Sequence, residues 1–345
     1  MLAGCGSERG VITAGGRVVG DNLTVYASVP NPAKGLGRDM VDASKLAIAQ
    51  AGGRVGDYGI NFVAVDEGAV GSATARVKPA RAAERAIRDA QVIAVVGGLR
   101  SDAAMTSLPL FNAAGILLVS PGAGYAGFTD AVAPGEPERW YPSGRRTFGR
   151  VIGDDVAQAR ALLRAAGDGR VAVEAEAERA TEELVDALRV AAGGRLVTDV
   201  ARADAVIYAG SDVRSAAGVA ESLAREAPRA RLVFCDELTR ADLAERLPAP
   251  ARRRAVFVSS APEPGTTPEL RAFEAAFEEQ FERPPDPYAV LAWRATRRVF
   301  DALEAAGPRA NLRRDVAERY LALPPAPEAF TAFRLRDGER EYVGG

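Results

Sequence analysis

VIAVVGGLRSDAAMTSLPLFNAAGILLVSPGAGY, residues 92–125, makes one move twice. An apolar run, 92–96, stops at Gly97-Gly98, with Ser101 just beyond at the start of a predicted helix. A second run, 116–119, stops at Ser120-Pro121-Gly122-Ala123-Gly124. Short apolar runs bounded by glycine and separated by one helix are the pattern of buried parallel strands. Parallel sheets place ligands at the carboxyl ends of their strands, against helix N-termini. Two neighbouring strand ends carrying hydroxyls and small residues therefore read as a seat for a small anion or carboxylate.

The alternation extends both ways. Upstream, strands are expected at 23–29 and 60–65, the second closed by Asp66-Glu67. An amphipathic helix opening at Gly35-Leu36-Gly37 lies between them, and another, over 72–89, has Pro79 as a kink or late start. Residues 134–149 break the rhythm with Pro134, Pro137 and Pro142 and read as a surface excursion followed by a crossover. A second series begins at Asp154, with strands expected at 171–173, 196–200, 205–208, 232–235 and 255–258. Its helices are expected at 154–166, 177–192, 214–226 and 239–247. Two helices follow Pro262-Glu263-Pro264-Gly265, a third lies near 312–322, and 330–343 reads as a hairpin around Asp337-Gly338. Strands separated by single helices imply an α/β fold class with parallel sheets, in two successive series.

Composition narrows the function. The 345 residues suit about two domains. A net charge of −2 does not build the basic face that nucleic acid requires. With no histidine, the chain lacks the usual neutral-pH acid–base residue and the commonest metal ligand. Cys5 and Cys235 form neither a zinc spacing nor a CxxC pair, so no metal or cofactor is expected. Gly122-Ala123-Gly124-Tyr125-Ala126-Gly127 matches the GxGxxG pattern, but Pro134 and Pro137 leave no room for the helix that a dinucleotide site needs. Leu2-Ala3-Gly4-Cys5 has the form of a bacterial lipobox, with Cys5 as the lipidated residue and 1–22 as lipobox and flexible tether.

In order and spacing, these pieces resemble the type I solute-binding proteins of ABC transporters, the branched-chain amino-acid group. The carriers are VVGGLRS, GILLVSPGAG, Phe148…Gly153-Asp154…Gln158, AVIYAG, and Asp236 after the LVFC strand. The resemblance implies two Rossmann-like lobes with parallel central sheets, joined by a three-segment hinge, 23–143 plus 260–325 and 144–259 plus 326–345. It implies a monomeric, non-enzymatic, extracytoplasmic protein. Such a protein would be held to the membrane only by its lipid and would capture a small carboxylate or amino acid for an ABC permease. By the same resemblance, Ser101 and Gly122, Ala123 and Gly124 would hold a ligand carboxylate. Asp236, or its neighbour Glu237, would meet an ammonium, with Ser211 or Asp212 where the family places a tyrosine. Ser101 reads equally as the cap of its helix, and Asp236 as a turn residue. A sensor signalling through a partner protein and, more remotely, an α/β enzyme are the competing readings.

Overall fold

A computed structural model of the chain describes residues 16–68, 77–177, 179–240, 243–327, 329–336 and 339–343. Cys5, the proposed lipidation site, lies outside them.

The first lobe opens with β1 (Asn22–Val29), α1 (Gly35–Gln50), β2 (Arg54–Val55), β3 (Tyr58–Asp66) and α2 (Val77–Ile87). It continues with β4 (Val92–Gly97), α3 (Ser101–Ala113), β5 (Leu117–Ser120) and β6 (Phe148–Arg150). Its sheet runs β2-β3-β1-β4-β5-β6, parallel except for β2. Both faces are covered, which is why its strands read as near-continuous apolar runs. Leu23, Val25, Ala27 and Val29 point to one core, whereas Tyr26 points to the other.

The second lobe contains α4 (Asp155–Ala166), β7 (Val171–Ala175), α5 (Arg179–Ala192), β8 (Ala205–Ala209), α6 (Val213–Glu226) and β9 (Arg231–Phe234). Next come α7 (Asp236–Arg240), α8 (Leu243–Arg246), α9 (Ala249–Arg252) and β10 (Ala255–Ser259). The chain then returns to the first lobe for α10 (Pro268–Phe281), α11 (Ala289–Ala306) and α12 (Arg313–Leu321). With α1, these three helices cover one sheet face; α2 and α3 cover the other. The chain ends in β11 (Thr331–Arg336) and β12 (Glu339–Val343), an antiparallel pair that extends the second sheet to β12-β11-β10-β9-β8-β7.

Four expectations need correction. The first lobe extends past 143 to Arg150, because β6 pairs in parallel with β5; the first crossover is therefore 151–154. The excursion is not superficial: Tyr125, Phe128, Trp140 and Phe148 bury an aromatic cluster, with Phe128 and Trp140 edge to face at 5.4 Å. No strand spans 196–200; Leu196 makes one isolated parallel bridge to Val171, and Val200–Arg202 is a 3-10 turn. The helix expected at 239–247 starts earlier than expected, with α7 at Asp236, and α8 ends at Arg246. The GxGxxG stretch leads only to a 3-10 turn, Ala126–Phe128. No helix among the described residues is long and apolar enough to cross a membrane.

Candidate functional site: the interlobe cleft

Three strand ends build the first-lobe rim, and the protein's own side chains occupy much of it. Beyond β4, the Gly98 and Leu99 amides each donate to the Glu67 carboxylate at 2.9 Å, and Ser28 Oγ donates to it at 3.1 Å. Glu67 is fully buried, and burial outweighs these donors, lifting its pKa to about 7. Gly97 allows the tight approach that aligns this loop: a Cβ there would lie 2.5 Å from the Ser28 carbonyl oxygen. Beyond β5, Ser120 Oγ accepts from the amides of Gly122 at 3.1 Å and Ala123 at 2.7 Å, and donates to the Gly98 carbonyl at 2.7 Å. The Gly122 and Ala123 amides thus fold back onto their own turn. Gly124 faces the hinge, where an added Cβ would stand 3.1 Å from Asp155 Oδ1.

Ser101 does not cap α3. It is the first helical residue, the N-cap position belongs to Arg100, and Ser101 Oγ accepts from the Tyr125 amide at 3.2 Å. Its hydroxyl can still donate, and the residue lines the cleft. Beside it, the buried Arg100 grips Asp102 through Nε at 2.9 Å and Nη2 at 2.5 Å.

The second-lobe rim uses a similar device. The Glu176 carboxylate accepts from the amides of Ser211 at 2.8 Å and Asp212 at 3.1 Å, and from Tyr208 Oη at 3.0 Å. Asp212 caps α6 through the Ser215 amide at 2.7 Å, and that bond holds its carboxyl below the usual range.

Asp236, the expected counter-ion, is fully buried in a hinge clasp. Its carboxylate accepts from the Ser260 amide and Ser260 Oγ, both at 2.7 Å, and from Tyr288 Oη at 2.8 Å. Ser259 Oγ donates in turn to Tyr288 Oη at 2.9 Å. The clasp ties the end of β9 to the second crossover and to the start of α11. Burial and partners together aim this carboxylate at the hinge rather than at the cleft.

Between the rims lies a cavity of about 20 Å³, bounded by Arg100, Ser101 and Asp102 on one side and by Asp155, Thr181, Ser211 and Glu237 on the other. That volume holds about one water molecule. Of the residues expected from sequence, Ser101 and Ser211 meet here, together with Glu237, the alternative to Asp236. Gly122, Ala123 and Gly124, like Asp212 and Asp236, do not border the cavity. Arg100 and Asp155 were missed. Asp155 is buried, and its Oδ2 has no hydrogen-bond partner among the described residues. Burial, then the Glu237 charge, push its pKa well above the usual carboxylate range, against the pull of Arg150. The only sequence signal was the doublet Asp154-Asp155 at a helix start. Asp154 caps α4 through the Ala157 amide at 2.9 Å, and Asp155 is left to face the cleft.

The two lobes, the interlobe cavity and the three connecting segments define the type I periplasmic binding protein fold. Solved structures of that fold align over nearly the whole chain. A leucine-binding protein of Thermotoga maritima aligns with a TM-score of 0.76 at 17% identity, covering 93% of this chain and 98% of its own. A substrate-binding protein of Desulfitobacterium hafniense in complex with leucine aligns at 0.75 and 15% identity, covering 93% and 100%. A solute-binding protein of R. palustris in complex with benzoate aligns at 0.69 and 19% identity, covering 94% and 96%. No family model matches the sequence, and no curated protein matches it.

Proposed function

We propose that this chain is the extracytoplasmic solute-binding component of an ABC importer, without enzymatic activity, working as a monomer. It closes two lobes over an amino acid or a similar small zwitterion and presents the closed form to a membrane permease. The observation that carries this reading is the buried Asp155 carboxyl, facing an interlobe cavity with one oxygen unpartnered among the described residues. A buried polar atom without a partner is costly unless something else supplies the bond. An ammonium placed there would also relieve the repulsion between Asp155 and Glu237. Across the cleft, Ser101 Oγ and the Arg100 guanidinium would meet a carboxylate. Gly124, packed against Asp155, allows the close approach. The named ligands of the similar structures, leucine and benzoate, support a small carboxylate as the common element.

A cavity of about 20 Å³ cannot admit an amino acid, so capture requires the lobes to part about the three connections and close again. Cys5 would carry the lipid that keeps the protein at the membrane while the 1–22 tether lets it reach the permease.

Ligand-induced thermal stabilisation tests this reading, with ligand-stripped protein and a library of L-amino acids, aliphatic and aromatic carboxylates, and amines. A true ligand at about 100 times its Kd adds about 2.7 kcal/mol to stability. Asp155→Asn should weaken an ammonium-bearing ligand by about 2–5 kcal/mol, the range for truncating one side of a buried charge pair. Its ligand-free melting temperature should be unchanged or higher, because a buried charge has been removed. No response to any compound in the library would overturn the assignment.

A further inference from the structure

A second cavity, of about 480 Å³, lies outside the cleft and shares no lining residue with it. Its walls are the edge strand β6, helix α12 and two of the three interlobe connections, represented by Ile152 and Asp154 on one side and Leu323, Pro325 and Ala326 on the other. The volume is in the range of small-molecule sites. Three arginines line it, Arg146, Arg150 and Arg298, against two acids, Asp130 and Asp154, leaving an excess of one positive charge.

These groups are not equally engaged. Arg150 donates to the Gly124 and Tyr125 carbonyls and to Thr129 Oγ1, so it belongs to the wall. Asp154 caps α4, and Asp130 accepts from Thr129 Oγ1. Arg298 donates through Nη2 to the Pro324 carbonyl at 2.7 Å, while its buried Nε has no partner among the described residues. Tyr320 is only 4% exposed; its hydroxyl forms no well-aligned hydrogen bond among the described residues, and the polar group beside it is the Arg298 guanidinium. That ring lies directly on β6, where a Cβ on Gly149 would stand 1.9 Å from it. Arg298 covers the same ring, with its guanidinium carbon 5.4 Å from the centroid. Two buried donors, Arg298 Nε and the Tyr320 hydroxyl, therefore lack a well-aligned acceptor in the wall of a cationic pocket, next to an apolar strip formed by Leu321, Leu323, Pro325 and Ala326.

We infer that this pocket binds an amphipathic carboxylate, with the head group at Tyr320 Oη and the Arg146–Arg298 pair and the apolar body along 321–326. Its occupant would touch both the first and the third interlobe connection. The inference does not depend on what the cleft binds.

Hexanoate is the probe, with hexanol as the uncharged control, and binding is read by calorimetry and saturation-transfer NMR. Hexanoate should bind and hexanol should not. Arg146→Glu, at an exposed position, should weaken hexanoate about tenfold or more by reversing a charge at the head group. Tyr320→Phe removes only a hydroxyl without a well-aligned acceptor; it should leave the melting temperature unchanged or higher and weaken hexanoate about tenfold. Ser101→Ala and Asp155→Asn, in the cleft, should leave hexanoate binding unchanged. Absence of hexanoate binding would overturn the inference, as would binding indifferent to both pocket variants or binding lost in the cleft variants.

Discussion

The two rims of the cleft solve one problem in two settings. On each, a glutamate just past one strand accepts the backbone amides past another: Glu67, after β3, reaches across the end of β1 to those of Gly98 and Leu99 after β4, and Glu176, after β7, takes those of Ser211 and Asp212 after the adjacent β8. Glu67 is buried with its three donors, whereas Glu176 is partly exposed. The amides that a strand-end site offers to an anion are thus already answered on both sides, by a buried carboxylate on one and a partly exposed one on the other. What remains for a ligand is the side-chain chemistry between the rims: Arg100, Ser101 and Asp155. On the proposed function, specificity would rest on a few side chains rather than on a bare backbone cradle.

The largest effect expected from this contrast is on stability. Glu67→Ala removes the acceptor of two buried amides and of the Ser28 hydroxyl, and should cost about 3–5 kcal/mol in chemical denaturation. A loss below 1 kcal/mol would mean that the first-lobe rim does not depend on this carboxylate.

Next in size is a pH dependence peculiar to the first lobe. Burial raises the Glu67 pKa from 4.5 to about 7. Between those values the folded protein keeps a proton that the unfolded chain has released. The stability contributed by Glu67 is complete below about pH 4.5 and is lost as pH rises through 7, by about 3 kcal/mol at most. Asp155, raised for the same reason, acts in the same direction. Denaturation measured from pH 4.5 to 7 should show a fall in stability that Glu67→Gln largely flattens. Equal slopes in the two proteins would place the titrating group elsewhere.

The architecture was legible because it is written in local periodicity. Buried strands such as 92–96 and the closing hairpin follow from apolar runs and turn residues, without knowledge of what lies across the sheet. The site was legible only in part. Glu67 stands 31 residues from Gly98, and Glu176 stands 35 from Ser211. Nothing in the intervening sequence says that these carboxylates reach those amides. Neighbouring residues also divide their roles by direction alone. In Asp154-Asp155 the first caps a helix and the second faces the cleft; in Asp236-Glu237 the first fastens the hinge and the second borders the cavity. Two acids at a helix start are interchangeable in sequence, and only the helix phase relative to the opposite lobe separates them. Arg150 shows the same limit from the other side. It ends β6, whose first two residues, 148–149, the sequence places in a crossover, because a three-residue strand carries too little periodicity to register.

Replacing the second-lobe glutamate should have the smallest effect and is the sharpest test of burial as the distinguishing variable. In Glu176→Ala the Ser211 and Asp212 amides lose a carboxylate but lie close enough to solvent for water to replace it, so the cost should be about 1 kcal/mol. The loss should be local: hydrogen exchange at Ser211 and Asp212 should quicken while the core strand β8 stays protected. Because Ser211 borders the cleft, any change in ligand response in this variant would report the rim's geometry rather than global stability. A cost matching that of Glu67→Ala would show that the two rims are energetically alike, and that the number of bonds to each carboxylate, not its distance from water, sets its contribution.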